Sequence, residues 1–439
     1  MGKNDWENLR LGDLGELRNG VNFNRHQEGR GLPVLKVKDF GTRVFAPVDD
    51  LDELDPTSID VPKSQLLEGG DIVIIRSNGN SELVGRSVLF RGSERQVTFS
   101  GFCIRFRPDK RRIDPRFAAY LIRSPFFRNR FSAFGSGTGI QNLSQGILAE
   151  MPVLLPAISE QKHIASVLGS LDDKIDLNRR MNETLEAMAR AIFKSWFVDF
   201  DPVRAKMEGR EPAEIDAESA SLFPSSLEYT NGGPIPTGWL ETVLGTGVEL
   251  LTGLPFQSER FEQSPPGTRL ARGDNVKEGY FEWGSRTRYW PENNPELERY
   301  LLRAGDVLIG MDGSKVGKNW VRVRENDLPC LLVQRVARLR ARSSIGDHFI
   351  ALLVGDRRFK DYVGSVRTGT SIPHISGGQI LSYVFHRPPL GDNRLFHRFE
   401  QIVDPLVRRQ DANIRERDRL SSLRDTLLPK LLSGEIRIA

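Results

Sequence analysis

The chain is duplicated, and no other feature of it narrows the fold as much. Slid by about 233 positions, Trp6 falls on Trp239, Leu11 on Leu244, Gly12 on Gly245, Glu16-Leu17 on Glu249-Leu250, Gly20 on Gly253 and Phe23 on Phe256. The middle drifts by a residue or two. Gly70-Asp71-Ile72-Val73-Ile74 answers Gly305-Asp306-Val307-Leu308-Ile309, and Gly137-Thr138-Gly139-Ile140 answers Gly369-Thr370-Ser371-Ile372. Self-similarity at a fixed period means a repeated structural unit. A chain of 439 residues has room for roughly two to three domains.

Each half ends in a long run of positions spaced three and four apart. The first is Ile164, Leu168, Leu171, Ile175, Asn178, Asn182, Leu185, Ala189, Ile192 and Trp196. The second is Phe399, Val403, Leu406, Gln410, Asn413, Arg417, Leu420, Arg424, Leu427 and Leu431. The stripe is too narrow for a helix lying on a globular core. The expectation is a coiled-coil pair, with Leu171, Ile175, Leu185, Leu406 and Leu420 on the seam. A polar residue there fixes register, so Asn178 is expected opposite Asn413. Between the halves, residues 199–235 are acidic and punctuated by proline, which reads as an exposed connector. The expected layout is a globular block (1–155), a helix (156–198), the connector (199–235), a second block (236–390) and a second helix (391–439).

Charge divides along the same lines. Residues 1–155 carry 22 Lys+Arg against 19 Asp+Glu, and residues 236–390 carry 21 against 17, while 156–235 carry 9 against 14. Two mildly basic blocks flank an acidic stretch, a balance that does not by itself argue nucleic acid. Two cysteines, Cys103 and Cys330, exclude a disulfide framework and suit a reducing cytoplasm. No apolar run approaches the 18 residues of a membrane span. Catalytic motifs fail in turn. Gly313-Ser314-Lys315-Val316-Gly317-Lys318-Asn319 looks like a phosphate loop, but its glycine spacing is one short and Asn319 stands where Ser/Thr should bind magnesium. The six histidines show no paired spacing, so no metal site is expected.

Several segments resemble the specificity subunit of type I restriction–modification systems. They are Leu155–Ile175 (L-P-A-I-S-E-Q-K-H-I-A-S-V-L-G-S-L-D-D-K-I), Ser195–Lys206 (S-W-F-V-D-F-D-P-V-R-A-K), Gly233–Trp239 (G-P-I-P-T-G-W) and Leu427–Ile436 (L-L-P-K-L-L-S-G-E-I). The second copy loses the L-P-x-x-E-Q spelling at Gly391–His397, so an identical partner contact at the second helix start is not implied. The resemblance implies an α+β chain: two mixed α/β target-recognition domains, each followed by a long helix, the helices forming an antiparallel coiled coil. It implies a non-catalytic, cytoplasmic subunit whose two domains each read half of a split double-stranded DNA site. The helices would set the gap and dock two methyltransferase subunits, with two motor–nuclease restriction subunits joining. S-adenosylmethionine would sit on the methyltransferases, and this chain would carry no cofactor. An orphan DNA-binding adaptor, or the recognition part of a split enzyme, remains open. A helix of about 39 residues spans ~58 Å, longer than one DNA turn of ~34 Å.

DNA readout needs donors that reach base edges and cations that hold phosphates. The candidates in the first block are Arg25, Lys36, Lys38, Arg76, Asn78, Asn80, Arg86, Gln141 and Asn142. In the second they are Arg272, Asn275, Lys277, Arg286, Tyr289, Lys315, Lys318, Arg367, Thr370, Ser371 and His374. The stretches 76–86, 137–144, 313–319 and 369–376 carry the strongest expectation, because they occupy matching places in both repeats.

Overall fold

The computed structural model describes residues 6–41, 43–134, 142–230, 232–292, 294–369 and 371–437. They pack as two units, Met1–Asn178 with Glu416–Ala439, and Arg179–Arg415. The division falls inside both long helices.

In the first unit the run Ile72–Ile75 is wholly buried, as a β-branched strand covered on both faces must be. It lies in an antiparallel sheet ordered Gly15–Asn19, Cys103–Pro108, Ile72–Ile75, Ser87–Leu89. Ile72, Ile74, Ile104 and Phe106 share a core with the helix Pro115–Arg123. That helix begins at a proline behind Asp114, whose carboxylate accepts the Arg116 and Phe117 N–H groups. Val73 and Ile75 share a second core with Leu35 and Phe99. The latter two belong to a mixed sheet of Glu53–Leu54, Glu28–Leu35 and Thr98–Phe99. Glu7–Arg10 pairs with Pro152–Leu155 and closes the unit.

The second unit repeats this plan strand for strand. Its sheet runs Val248–Thr252, Val336–Ala341, Val307–Gly310, Trp320–Arg322. Its mixed sheet is Tyr289–Trp290, Thr268–Ala271, Cys330–Leu332, and Leu240–Val243 pairs with Val384–Arg387. The sequence repeat is therefore a repeat of topology. Buried polar contacts are duplicated as well. Asp71 takes a bidentate grip from Arg107 and the Glu68 N–H, just as Asp306 does from Arg340 and the Arg303 N–H. Arg105 and Arg338, both buried, reach Glu16 and Glu249. Cys103 and Cys330 are free and buried, and burial pushes both thiols up.

The long helices are Ile158–Lys194 and Arg394–Leu432. In the first unit Asp172 accepts from Arg424 Nη1 (2.7 Å) and the Tyr120 hydroxyl (2.6 Å), and Asn178 Nδ2 donates to Glu416 (2.8 Å). In the second, Asn182 Nδ2 donates to the Gln410 carbonyl, Gln410 returns a bond to the Asn182 carbonyl, and Asn413 Nδ2 donates to Asn182 Oδ1 (2.8 Å). In the first unit numbers rise on one helix as they fall on the other, and in the second Asn182 meets Gln410 while Phe193 meets Phe399, so the pairing is antiparallel in each unit. Leu171, Ile175, Leu185, Leu406 and Leu420 are half-buried, and Asn178 and Asn413 are buried. The expected Asn178–Asn413 pair is corrected to two separate ties, Asn178 to Glu416 and Asn413 to Asn182. The register is displaced by about one helical turn of 3.6 residues. Among the described residues no helix is long and apolar enough to cross a membrane.

The expectation of an exposed connector is overturned. Phe200, Val203, Phe223 and Ile235 are buried, and the stretch forms the helices Asp201–Met207 and Ala217–Ser221 and the hairpin Leu227–Thr230/Gly233–Pro236. Phe197 stacks on Phe396, Trp196 packs edge-on to Phe223, and Phe200 edge-on to Trp239. Two buried aromatics, Phe200 and Phe223, with Val203 and Ile235, outweigh the polar average of this acidic, proline-marked segment.

Leu428 and Leu431 join Ile164, Ala165 and Leu168 in the first unit's core. Leu428→Ala and Leu431→Ala should each cost that unit about 2–5 kcal/mol. Native-state hydrogen exchange should show faster exchange at 72–75 and unchanged exchange at 307–310. Equal loosening of both sheets would contradict the division.

Candidate nucleic-acid interface

Each unit presents a polar loop where its third sheet strand ends. In the first, Ile72–Ile75 runs into Arg76-Ser77-Asn78-Gly79-Asn80. The Arg76 N–H donates to the Phe102 carbonyl (2.9 Å), the Arg76 carbonyl accepts the Leu143 N–H (2.8 Å), and Ser77 bridges Asn142. Arg76 Nε donates to Asn142 Oδ1 (3.1 Å). The loop is braced from within: Asn78 Oδ1 accepts the Asn80 N–H, and Asn80 Oδ1 accepts the Glu82 N–H. Gly85 closes it at φ +78°, where a Cβ would lie 2.4 Å from the Phe131 ring. Lys38, Asn78 and Arg86 line one hollow beside the loop.

The second unit builds the same site. The Met311 N–H donates to the Arg335 carbonyl (2.9 Å), the Met311 carbonyl accepts the Ile375 N–H (2.9 Å), and Asp312 bridges His374. Thr368 and His374 exchange backbone bonds, and Thr368 Oγ1 meets His374 Nε2 at 3.0 Å. Gly313 N–H donates to the Pro373 carbonyl. Lys315, Lys318, Arg367, Ser371 and His374 are exposed around this junction. The pairs 76–80 with 142–144, and 311–319 with 368–376, thus come together from distant parts of the sequence.

Other expected residues are placed differently. Asn275 is fully buried and donates to the Glu282 carbonyl, so it cannot reach a base. Lys36 is tied to Glu28 (2.6 Å) and Asp52 (2.9 Å). Burial acts to lower its pKa, but the two carboxylates outweigh it and hold the ammonium above its usual value. Its charge is spent inside the domain. Lys38 also meets Asp52, and Lys277 and Arg272 meet Glu282 and Asp274. Arg25 lies exposed on a turn capped by Asn24, Arg286 is exposed, and Tyr289 is half-buried in its strand. Gln141 and Thr370 lie outside the described residues.

Two residues that sequence reasoning missed stand at the tips of these sites. Phe102 is 63 % exposed on the turn that accepts the Arg76 N–H. Arg335, its counterpart, is exposed and held at φ +68°, a strained conformation for a side-chain-bearing residue. The missed signal was the repeat itself: both precede the buried strands that begin at Cys103 and Val336. Among the described residues no group of three or more His, Cys, Asp or Glu is placed to hold a metal.

Known proteins share this chain's sequence features and its fold. Residues 3–187 match the type I restriction modification DNA specificity domain. The chain is 27 % identical over 445 residues to the StySPI type I restriction enzyme specificity subunit of Salmonella potsdam, covering 98 % of this chain and 89 % of that one. It is 26 % identical over 327 residues to the MjaIX specificity subunit of Methanocaldococcus jannaschii, covering 73 % and 68 %. The crystal structure of the type I restriction–modification S subunit from M. genitalium shares the fold, with TM-score 0.56, 16 % identity, and coverage of 98 % and 97 %.

The loop geometry has measurable consequences. Gly85→Ala, and Gly317→Ala with its Cβ 2.6 Å from Val363 Cγ1 at φ +80°, should each cost about 2 kcal/mol or more. Arg335→Gly should stabilise by up to about 1 kcal/mol through relief of the left-handed backbone. Thermal melts of the full chain check all three. Indistinguishable melts would mean that the loops are not held in these conformations.

Proposed function

Since the chain belongs to the family of type I restriction–modification specificity subunits, we propose that its two units each read one half of a split double-stranded DNA site. One observation carries this: two units of the same topology present the same loop pair with different side chains, Phe102 against Arg335 and Asn142 against His374. A common scaffold with unlike reading surfaces suits a site whose halves differ. The 76–80 and 142–144 loops read one half and the 312–319 and 368–376 loops the other. The paired helices set the gap and dock two methyltransferase subunits that carry S-adenosylmethionine. Two restriction subunits join that assembly. The chain itself performs no chemistry and binds no cofactor.

Each assignment has its own readout. With the methyltransferase partner present, Arg76→Ala should relax discrimination in one half-site by about 1–3 kcal/mol per lost base contact, and Lys315→Ala with Lys318→Ala should affect only the other. Loss of discrimination in both halves from either change would refute two separate readers. The gap is tested by seven-residue insertions in both helices, after Arg180 and before Asn413, which keep the seam in phase. They add about 10 Å at the helical rise, roughly three base pairs. The preferred gap should lengthen while both half-site sequences stay the same. An unchanged gap would remove the helices from that role.

A further inference from the structure

Each unit carries an exposed apolar side chain at the tip of its candidate reading site. Phe102 is 63 % exposed on the turn 100–103, and Ile372 is 65 % exposed on the hairpin closed by Thr368 and His374. Among the described residues of these loops no other large apolar side chain is exposed. A single exposed apolar residue is ordinary on a protein surface. These two differ in how firmly they are held. The Cys103 N–H donates to the Ser100 carbonyl (2.8 Å), the Gly101 N–H to the Val21 carbonyl (2.7 Å), and the Phe102 carbonyl accepts the Arg76 N–H (2.9 Å). The Phe102 N–H donates to Ser100 Oγ (3.3 Å), and Cys103 beside it is buried. The ring therefore projects from a turn tied to two neighbouring segments. Ile372 is held in the same manner. Thr368 and His374 exchange backbone bonds (2.9 and 2.8 Å), the Pro373 carbonyl accepts the Gly313 N–H (3.0 Å), and buried Ile375 donates to the Met311 carbonyl (2.9 Å).

Polar and basic groups, rather than further apolar surface, accompany each tip. Phe102 is bonded to the segment that holds Arg76 and Ser77, which in turn bridges Asn142. The segments that meet at the Ile372 hairpin carry Lys315, Lys318, Arg367 and His374, all exposed. In the second unit the place of Phe102 is taken by Arg335, whose Nε faces Asp312 (3.6 Å), so there the apolar tip stands on the other limb of the loop pair. A protein partner needs an apolar core to its interface, which a lone side chain among donors does not supply. The gap between two base pairs admits one such side chain, and the phosphates on either side accept the donors.

We propose that Phe102 and Ile372 are DNA wedges. Resting on the DNA-reading function above, each enters between two stacked base pairs at the half-site its unit reads and unstacks that step. A wedge works only if its support yields less than the stack it opens, and the pinned backbones meet that condition. The tip makes no hydrogen bond, so it selects its step by ease of unstacking, which is greatest at pyrimidine–purine steps. The wedges thus add a preference at base pairs that the loop donors do not touch.

The complex with its methyltransferase partner tests this on DNA in which 2-aminopurine replaces adenine, or pyrrolocytosine replaces cytosine, one base pair at a time. Both analogues fluoresce more strongly when unstacked. With the wild-type chain one step at each half-site should brighten. Phe102→Ala should abolish the signal at the first half-site alone and Ile372→Ala at the second alone, each variant binding about tenfold more weakly. Phe102→Leu, which keeps an apolar tip, should keep the signal. Melting midpoints of all three variants should match the wild type, since both side chains are exposed. Wild-type affinity in both alanine variants, with the fluorescence pattern unchanged, overturns the wedges and leaves the reading function standing. Weaker binding that is reproduced by replacing one thymine with uracil, with no unstacked step, assigns the tips to a methyl contact and overturns the wedges. Loss of the methyltransferase partner from the variants assigns the tips to that protein and overturns them likewise. A wild-type complex with no sequence preference overturns the reading function, and the wedges fall with it.

Discussion

The antiparallel pairing of the long helices imposes the strongest constraint on this chain. Because the helices run in opposite directions, the last residues of the sequence return to the first domain. Leu428 and Leu431 fill a core otherwise built from residues before 169. The first unit is therefore discontinuous in sequence, and it completes its core only when the final helix has been made. The polar contacts along the pair hold that arrangement in register. Asp172 is almost wholly buried and takes bonds from both Tyr120 and Arg424. A slip of one turn would leave a buried carboxylate without its guanidinium, which costs far more than the intact pair contributes. The Asn182–Gln410–Asn413 ties act the same way in the second unit.

Duplication has preserved the inside and varied the outside. The Arg107–Asp71 and Arg340–Asp306 grips sit at the same place in both sheets, and so do the buried arginines 105 and 338. These groups cannot change one at a time, since removing one partner strands a buried charge. The loop tips carry no such penalty. Phe102 and Arg335 hang from equivalent backbone bonds yet differ in size, charge and backbone conformation. The tips can therefore diverge without disturbing the sheets.

Much of the architecture was legible in the sequence because its signals are periodic. The repeat and the two helices follow from spacing. What spacing could not supply was side-chain burial. Asn275 and Lys36 looked like exposed donors, yet one is enclosed by its own turn and the other is held by two carboxylates distant in sequence. The segment 199–235 reads as exposed because its average polarity conceals Phe200, Val203 and Phe223, which join one core with rings from outside the segment. The helix register was off by one turn, since equivalent asparagines need not meet when the crossing point lies between them.

On the proposed reading role, the hydrogen bonds inside the first loop limit what it can recognise. Asn78 Oδ1 and Asn80 Oδ1 each accept a backbone N–H, which forces their amide nitrogens to be the free ends. Recognition of adenine by an asparagine needs both ends, the oxygen for N6 and the nitrogen for N7. Each oxygen keeps a second lone pair, so either residue would do this only by accepting two hydrogen bonds at once. Arg76 likewise commits Nε to Asn142 but keeps its terminal nitrogens. The loop thus keeps the Asn78 and Asn80 amide nitrogens and the Arg76 terminal nitrogens as donors, which would meet base edges rich in acceptors if it enters a groove. Because the bonds are already made in the unbound protein, a ligand docking on the loop would have little ordering left to impose.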